Sequence, residues 1–332
     1  MNEKKNESIN LNCLQYSKLQ TPIISNEYSM SVLEDNLAFE ALLQNYKTKF
    51  NFKKLKTFAL SKEGFLGLFL ELRGKIAISV GETQAVIDGA KLYENLGFEL
   101  LWLELNKDGK VDVSALKNTT IDFLFLSSYV MDTFVKTNLE EVKTYTNAKI
   151  ISNVSAHFDL NSDIIYFDNY KLTGFNISGV ILFNDDSLTL LPIGEIDTIA
   201  CKFAFEALEQ QHFNTKLKSK FQEKLITQFK DDLYFFVNPN DTLEQSLHFG
   251  LKDIKARELI RTLALSQIYI TNGEGCSLGL SKPSRVIQAM GYDETTSRNA
   301  ISLSFMDEMS DDTIDKVIKM IYMKYKQIRS FL

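Results

Sequence analysis

The sequence predicts an α/β protein, a large and mostly parallel sheet covered by helices, joined to a smaller α+β unit. Three observations carry this expectation. Short apolar segments alternate with amphipathic helical stretches from about residue 75 to 185, the signature of parallel strands joined by helical crossovers. From about Asp197 the pattern changes to long helical stretches with fewer strands between them. At 332 residues the chain also exceeds the ~250–300 at which single cores stop growing. The expected division is a disordered tail over 1–12, a large subdomain over 50–195, and a smaller one from 13–49 and 196–332.

The elements follow in order. A helical pattern covers Ser31–Phe50, Lys75–Val80 reads as a strand, and Gln84–Leu96 reads as a helix closed by Gly97. Strands are expected at Glu99–Leu105, Ile121–Ser127, Lys149–Val154, Asp163–Phe167 and Val180–Phe183, with a helix near Leu139–Tyr145. Beyond Asp197 come helices at Ile199–Gln211 and Leu217–Lys230 and strands at Leu233–Val237, Gln267–Thr271 and Ala300–Phe305. Ser281 as cap, Pro283 in the first turn and Gly291 as the stop suggest a helix over Lys282–Met290. The last helix starts at Ser310, with Asp311 and Asp312 placed well in its first turn. Sheets of this kind bind ligands in the loops beyond the strand carboxyl ends.

Composition narrows the function. A net charge of −6 argues against nucleic acid as a partner. Three widely spaced cysteines, Cys13, Cys201 and Cys276, suit neither a disulfide framework nor zinc. The opening residues are polar and lack the apolar stretch of a signal peptide, and Gly64–Leu72 is about half of the ~20 residues that a membrane span needs. A cytoplasmic protein, free of nucleic acid and membrane, is expected.

The C-terminal third carries the most specific motif. Ile270-Thr271-Asn272-Gly273-Glu274-Gly275-Cys276-Ser277, then Pro283-Ser284-Arg285-Val286, then Ile301-Ser302-Leu303-Ser304-Phe305 resemble the end of the cysteine desulfurases. Asp163–Lys171 followed by Gly174 and Gly179–Leu182 is similar to that family's approach to its Schiff-base lysine. Gly81–Leu105 resembles the helix and strand after the cofactor-stacking position, and Tyr16-Ser17 and Thr21-Pro22 resemble the opening residues. The resemblance covers about residues 13–330 and implies a fold type I transferase that uses pyridoxal phosphate.

It also implies roles. Lys171 falls on the lysine that holds the cofactor, and Cys276 on the thiol that takes up sulfur as a persulfide. Read without the resemblance, Lys171 is one solvated lysine among many and Cys276 a small buried hydrophobe. Glu274 opposes ionisation of that thiol. The phosphate-anchoring loop falls near Ser61–Gly64, where Glu63 adds a carboxylate. Thr83 replaces the ring-stacking histidine, Ser155 the aspartate at the ring nitrogen, and Met131 or Asp132 the partner of the ring hydroxyl. Ala300 stands where an arginine clamps the substrate carboxylate, with Arg298 two residues earlier. His157 lies close enough to Ser155 to contact the ring, although a lone loop histidine is more often simply hydrogen-bonded; Trp102 reads as core.

Two functions follow. One is a desulfurase-like protein without normal desulfurase catalysis, a binding or scaffold partner in sulfur or iron–sulfur trafficking. The other is a working pyridoxal-phosphate-dependent cysteine desulfurase or related class V aminotransferase-like transferase, with Lys62, Asp132, His157 and Arg298 filling the missing roles. A homodimer and a sulfur-acceptor protein are the partners that the resemblance implies.

Overall fold

The structure, a computed structural model, describes residues 8–13, 37–188, 196–273 and 282–331. In chain order the elements are β1 (Ile9–Asn10), α1 (Leu37–Phe50), β2 (Lys54–Phe58), α2 (Lys62–Glu71), β3 (Ile76–Ser79), α3 (Gln84–Asn95), β4 (Leu100–Leu103), β5 (Phe123–Phe125) and α4 (Leu139–Val142). Next come β6 (Lys149–Asn153), β7 (Ile164–Phe167), α5 (Asn169–Thr173), β8 (Gly179–Phe183), α6 (Thr198–Gln210), α7 (Leu217–Phe229), β9 (Leu233–Tyr234) and β10 (Ser246–Leu251). The chain ends with α8 (Ala256–Ala264), β11 (Ile268–Tyr269), α9 (Arg285–Ala289), α10 (Glu294–Ser297), β12 (Ala300–Ser304) and α11 (Asp311–Arg329).

Strands β3, β7 and β8 are buried at every residue, as continuous apolar runs covered on both faces must be. They belong to a seven-stranded sheet in the order β2-β8-β7-β6-β5-β3-β4. Only β8 runs against its neighbours; the other pairs are parallel. The C-terminal unit has its own three-stranded antiparallel sheet, β12-β10-β9, and a separate core that joins α7, α8 and α11. Among the described residues no helix is long and apolar enough to cross a membrane.

Several details depart from the sequence expectation. The tail expected over 1–12 gives way by Ile9–Asn10, which pairs in parallel with Ile268–Tyr269 while Leu11 is fully buried. Apolar Ile9 and Leu11 supply the reason, since both join the C-terminal core. Helices α1 and α6, expected in the smaller unit, pack on the large sheet: Tyr46 and Phe50 meet Phe167, and the Tyr46 hydroxyl donates to the Cys201 carbonyl at 2.7 Å. Helix α9 starts at Arg285 with Ser284 as its cap, not at Lys282, and the Ser284 hydroxyl accepts from the Ile287 amide at 3.2 Å. Pro283 contributes here by disfavouring helical backbone at the residue before it.

The layer over the sheet ends at a tight junction. A Cβ on Gly64 in the first turn of α2 would lie 1.8 Å from the Ala59 carbonyl oxygen, and one on Gly89 of α3 would lie 2.9 Å from the Lys62 carbonyl. Glycine thus lets α3 lie directly on the start of α2. Gly64→Ala is expected to destabilise the protein by about 2 kcal/mol or more, because backbone rather than a flexible side chain must move. A drop in the denaturant midpoint checks this, and an unchanged midpoint counts against the stated packing.

Candidate functional site

Parallel sheets leave their loops at the strand carboxyl ends, and a cavity of about 390 Å³ opens there. Its wall includes Ser61 and Glu63 at the start of α2, Thr83 and Asp88 from α3, and Asp168 and Lys171 from the β7–α5 corner. The last pair is placed by capping. Asp168 is the N-cap of α5, and its Oδ1 accepts from the Lys171 amide at 3.1 Å. Gly174, in the left-handed region at φ 77°, closes this single turn. Lys171 Nζ lies 3.2 Å from Met131 Sδ.

The charges in this cavity are engaged locally. Glu63 folds back on its own backbone N–H and the Ser61 hydroxyl, which holds its carboxyl below the usual range; Lys62 Nζ sits 3.7 Å away. Asp88 Oδ1 accepts from the Gln84 amide at 2.8 Å. Beneath the cavity floor, buried Glu82 accepts from the Ser127 amide at 2.6 Å, the Ser127 hydroxyl at 3.0 Å and the Tyr166 hydroxyl at 3.4 Å. Among the described residues no cluster of His, Cys, Asp and Glu suits a metal ion.

Lys171 and Thr83 line one cavity together with Ser61, Lys62 and Glu63, whereas Ser155, His157, Asp132, Ala300 and Arg298 are not part of its wall. Ser155 is buried, and its hydroxyl accepts from the Asp168 amide at 2.8 Å. His157 Nδ1 lies 2.9 Å from the Ser128 hydroxyl at the surface. Met131 is the neighbour of the Lys171 amine, and Asp132 Oδ2 accepts from the Ser284 hydroxyl at 2.7 Å. Ala300 is buried opposite Gly250, and Arg298 pairs with Glu294 at 2.6 Å. Cys276 lies outside the described residues, as do Tyr16, Ser17, Thr21 and Pro22.

Two further residues escape a reading of the sequence. Arg285 donates to the Val80 carbonyl, to the Glu82 carbonyl at 2.5 Å and to Gln84 Oε1 at 3.1 Å. It thereby ties α9 of the C-terminal unit to the loop that carries Thr83. Glu82 is the other, a carboxylate that anchors the same loop to β5 through Ser127. The only available signals were a basic residue after Pro283-Ser284 and an acid just before the α3 cap.

These features define a mixed α/β protein with a large, mostly parallel sheet and a smaller antiparallel one. A solved structure described as a NifS-like protein matches with a TM-score of 0.75 at 14% identity, covering 98% of this chain and 100% of that one. The apo structure of a cysteine desulfurase from Thermococcus onnurineus NA1 matches with a TM-score of 0.73 at 15% identity, covering 97% and 96%. In sequence the chain is similar to the cysteine desulfurase IscS of Glaesserella parasuis, 22% identical over 298 residues, which are 79% of this chain and 73% of that protein. It is also 20% identical over 306 residues to the cysteine desulfurase IscS of Rickettsia bellii, covering 81% and 74%. No family model matches the chain. The similarity to cysteine desulfurases thus spans about four-fifths of the sequence, and the fold extends across nearly all of it.

Arg285→Ala is expected to cost about 2–3 kcal/mol in chemical denaturation, because two backbone carbonyls lose a charged donor. Arg285→Lys, a point charge without a fork, is expected to recover only part of that. Full stability in the alanine variant is the contrary result.

Proposed function

We propose that this is a cysteine-desulfurase-like protein that lacks normal desulfurase catalysis and serves as a binding or scaffold partner in sulfur handling. The carrying observation is Glu63, whose exposed carboxylate stands on the cavity wall in the first turn of α2, a helix already capped by Ser61. That helix start is where the resemblance puts the cofactor's phosphate. A phosphate dianion there meets a like charge and is repelled by it. Asp168 brings a second carboxylate to the cavity beside Lys171. Ser155 offers the ring nitrogen only a neutral hydroxyl, which already accepts from the Asp168 amide. Beyond Lys171, the residues present do not fit pyridoxal phosphate.

Lys171 favours a second reading, an active pyridoxal-phosphate-dependent transferase, because its amine is at the cavity wall. One experiment separates the two. Purified protein is measured by visible absorption with and without added pyridoxal phosphate, and then assayed for cysteine-dependent sulfide release beside Lys171→Ala and Cys276→Ala. The expected result is no lasting colour and a rate on the order of 10³–10⁶-fold below that of a working desulfurase, for defects of roughly 4–8 kcal/mol in total. Robust turnover abolished by both substitutions supports the active reading instead.

A cytoplasmic homodimer completes the proposal. Phe175 and Ile199, 46% and 40% exposed, lie on the segments after Lys171, where a second copy would cover them. Light scattering is expected to give twice the 37.9 kDa chain mass. A monomeric mass that Phe175→Ser leaves unchanged speaks against it.

A further inference from the structure

One corner of the cavity carries hydrogen-bond donors that have no protein acceptor among the described residues. Thr83 is the N-cap of the 12-residue helix α3, yet its hydroxyl makes no bond to the first turn. The residue is 5% exposed, lines the cavity and has no side-chain hydrogen bond among the described residues. The backbone N–H groups of Ala85 and Val86 also have no acceptor among the described residues. A helix start with open amides favours an anion, and the Thr83 hydroxyl at the cavity wall adds a further donor.

The surrounding charges decide which anion. Lys62 and Lys171 oppose Glu63, Asp88 and Asp168 around this one cavity. Each of the three carboxylates already has a donor: Glu63 its own amide and Ser61, Asp88 the Gln84 side chain, and Asp168 the Lys171 amide. They therefore need no cation from a ligand, but they repel a second negative charge. A carboxylate brings one charge and two acceptor oxygens, which match a hydroxyl and adjoining amides. The volume of about 390 Å³ suits a small molecule.

We propose that Thr83 and the first turn of α3 bind the carboxylate of a small carboxylic acid as a monoanion. This deepens the reading that the cavity does not hold pyridoxal phosphate, and it rests on that reading. The test titrates the full chain with sodium propionate at constant ionic strength, by calorimetry and by following the Ala85 and Val86 amide resonances. Inorganic phosphate and pyridoxal phosphate are titrated in parallel. Propionate is expected to saturate and to move both resonances. Thr83→Val, which keeps the shape and removes the hydroxyl, is expected to weaken binding roughly tenfold or more, and Thr83→Ser to restore it to within about threefold. The wild-type resonances decide the matter even if the valine variant fails to fold. Phosphate binding tighter than propionate, or equal affinity in wild type and Thr83→Val, overturns the inference. Pyridoxal phosphate that binds with lasting colour overturns the functional reading as well. Silence from both propionate and pyridoxal phosphate overturns the inference alone.

Discussion

A buried carboxylate needs donors, and Asp132 takes them from the other half of the molecule. Its side chain accepts from the Ser284 hydroxyl, and its backbone carbonyl accepts from the Ser302 hydroxyl at 2.9 Å. Ser302 in turn lies 2.8 Å from His248 Nδ1 on β10, where burial lowers the imidazole pKa to about 3 and keeps the ring neutral. Gly273 approaches so closely that a Cβ there would lie 2.2 Å from Asp132 Oδ1. Asp132 itself has a φ of 64°, a conformation that costs energy outside glycine. The contacts gathered at this one residue hold that backbone in place. Through it the loop that follows β5 of the seven-stranded sheet is tied to β12 of the three-stranded sheet.

The cavity depends on helix packing. Gly89 allows α3 to lie against the backbone at the start of α2, and Gly64 lets that start lie against the Ala59 carbonyl, so two helix starts open toward the same space. Their fates differ. The start of α2 is capped by Ser61, whose hydroxyl accepts from the Gly64 amide at 3.3 Å, whereas Thr83 makes no such bond at the start of α3. One fold thus presents a capped helix start with a carboxylate in its first turn next to an uncapped one.

The large sheet was legible because its strands are continuous apolar runs between polar turns; Ile76–Ser79 and Gly179–Phe183 end within a residue or two of the expected limits. Strands β2 and β10 were not. β2 carries Lys54 and Lys56, and β10 carries Ser246, His248 and Gly250, all three buried. The sequence does not say that a polar face will meet partners such as Ser302 and Tyr234 from distant segments. The site divides in the same way. Lys171 and Thr83 follow from the family resemblance, each next to an element that the apolar pattern makes legible. Arg285 and Glu82 escaped because their partners are backbone groups far away in sequence, which no residue type records.

Gly273 and Ser284 both end on Asp132, so the chain between them leaves and returns at a single point. Closing such a loop costs only about 0.6 kcal/mol more for each doubling of its length. Its ends are fixed by contacts that do not involve its own residues. Because a longer connection is so cheap to close, the contacts on Asp132, made by residues at either end of that stretch, are what bring its two ends together.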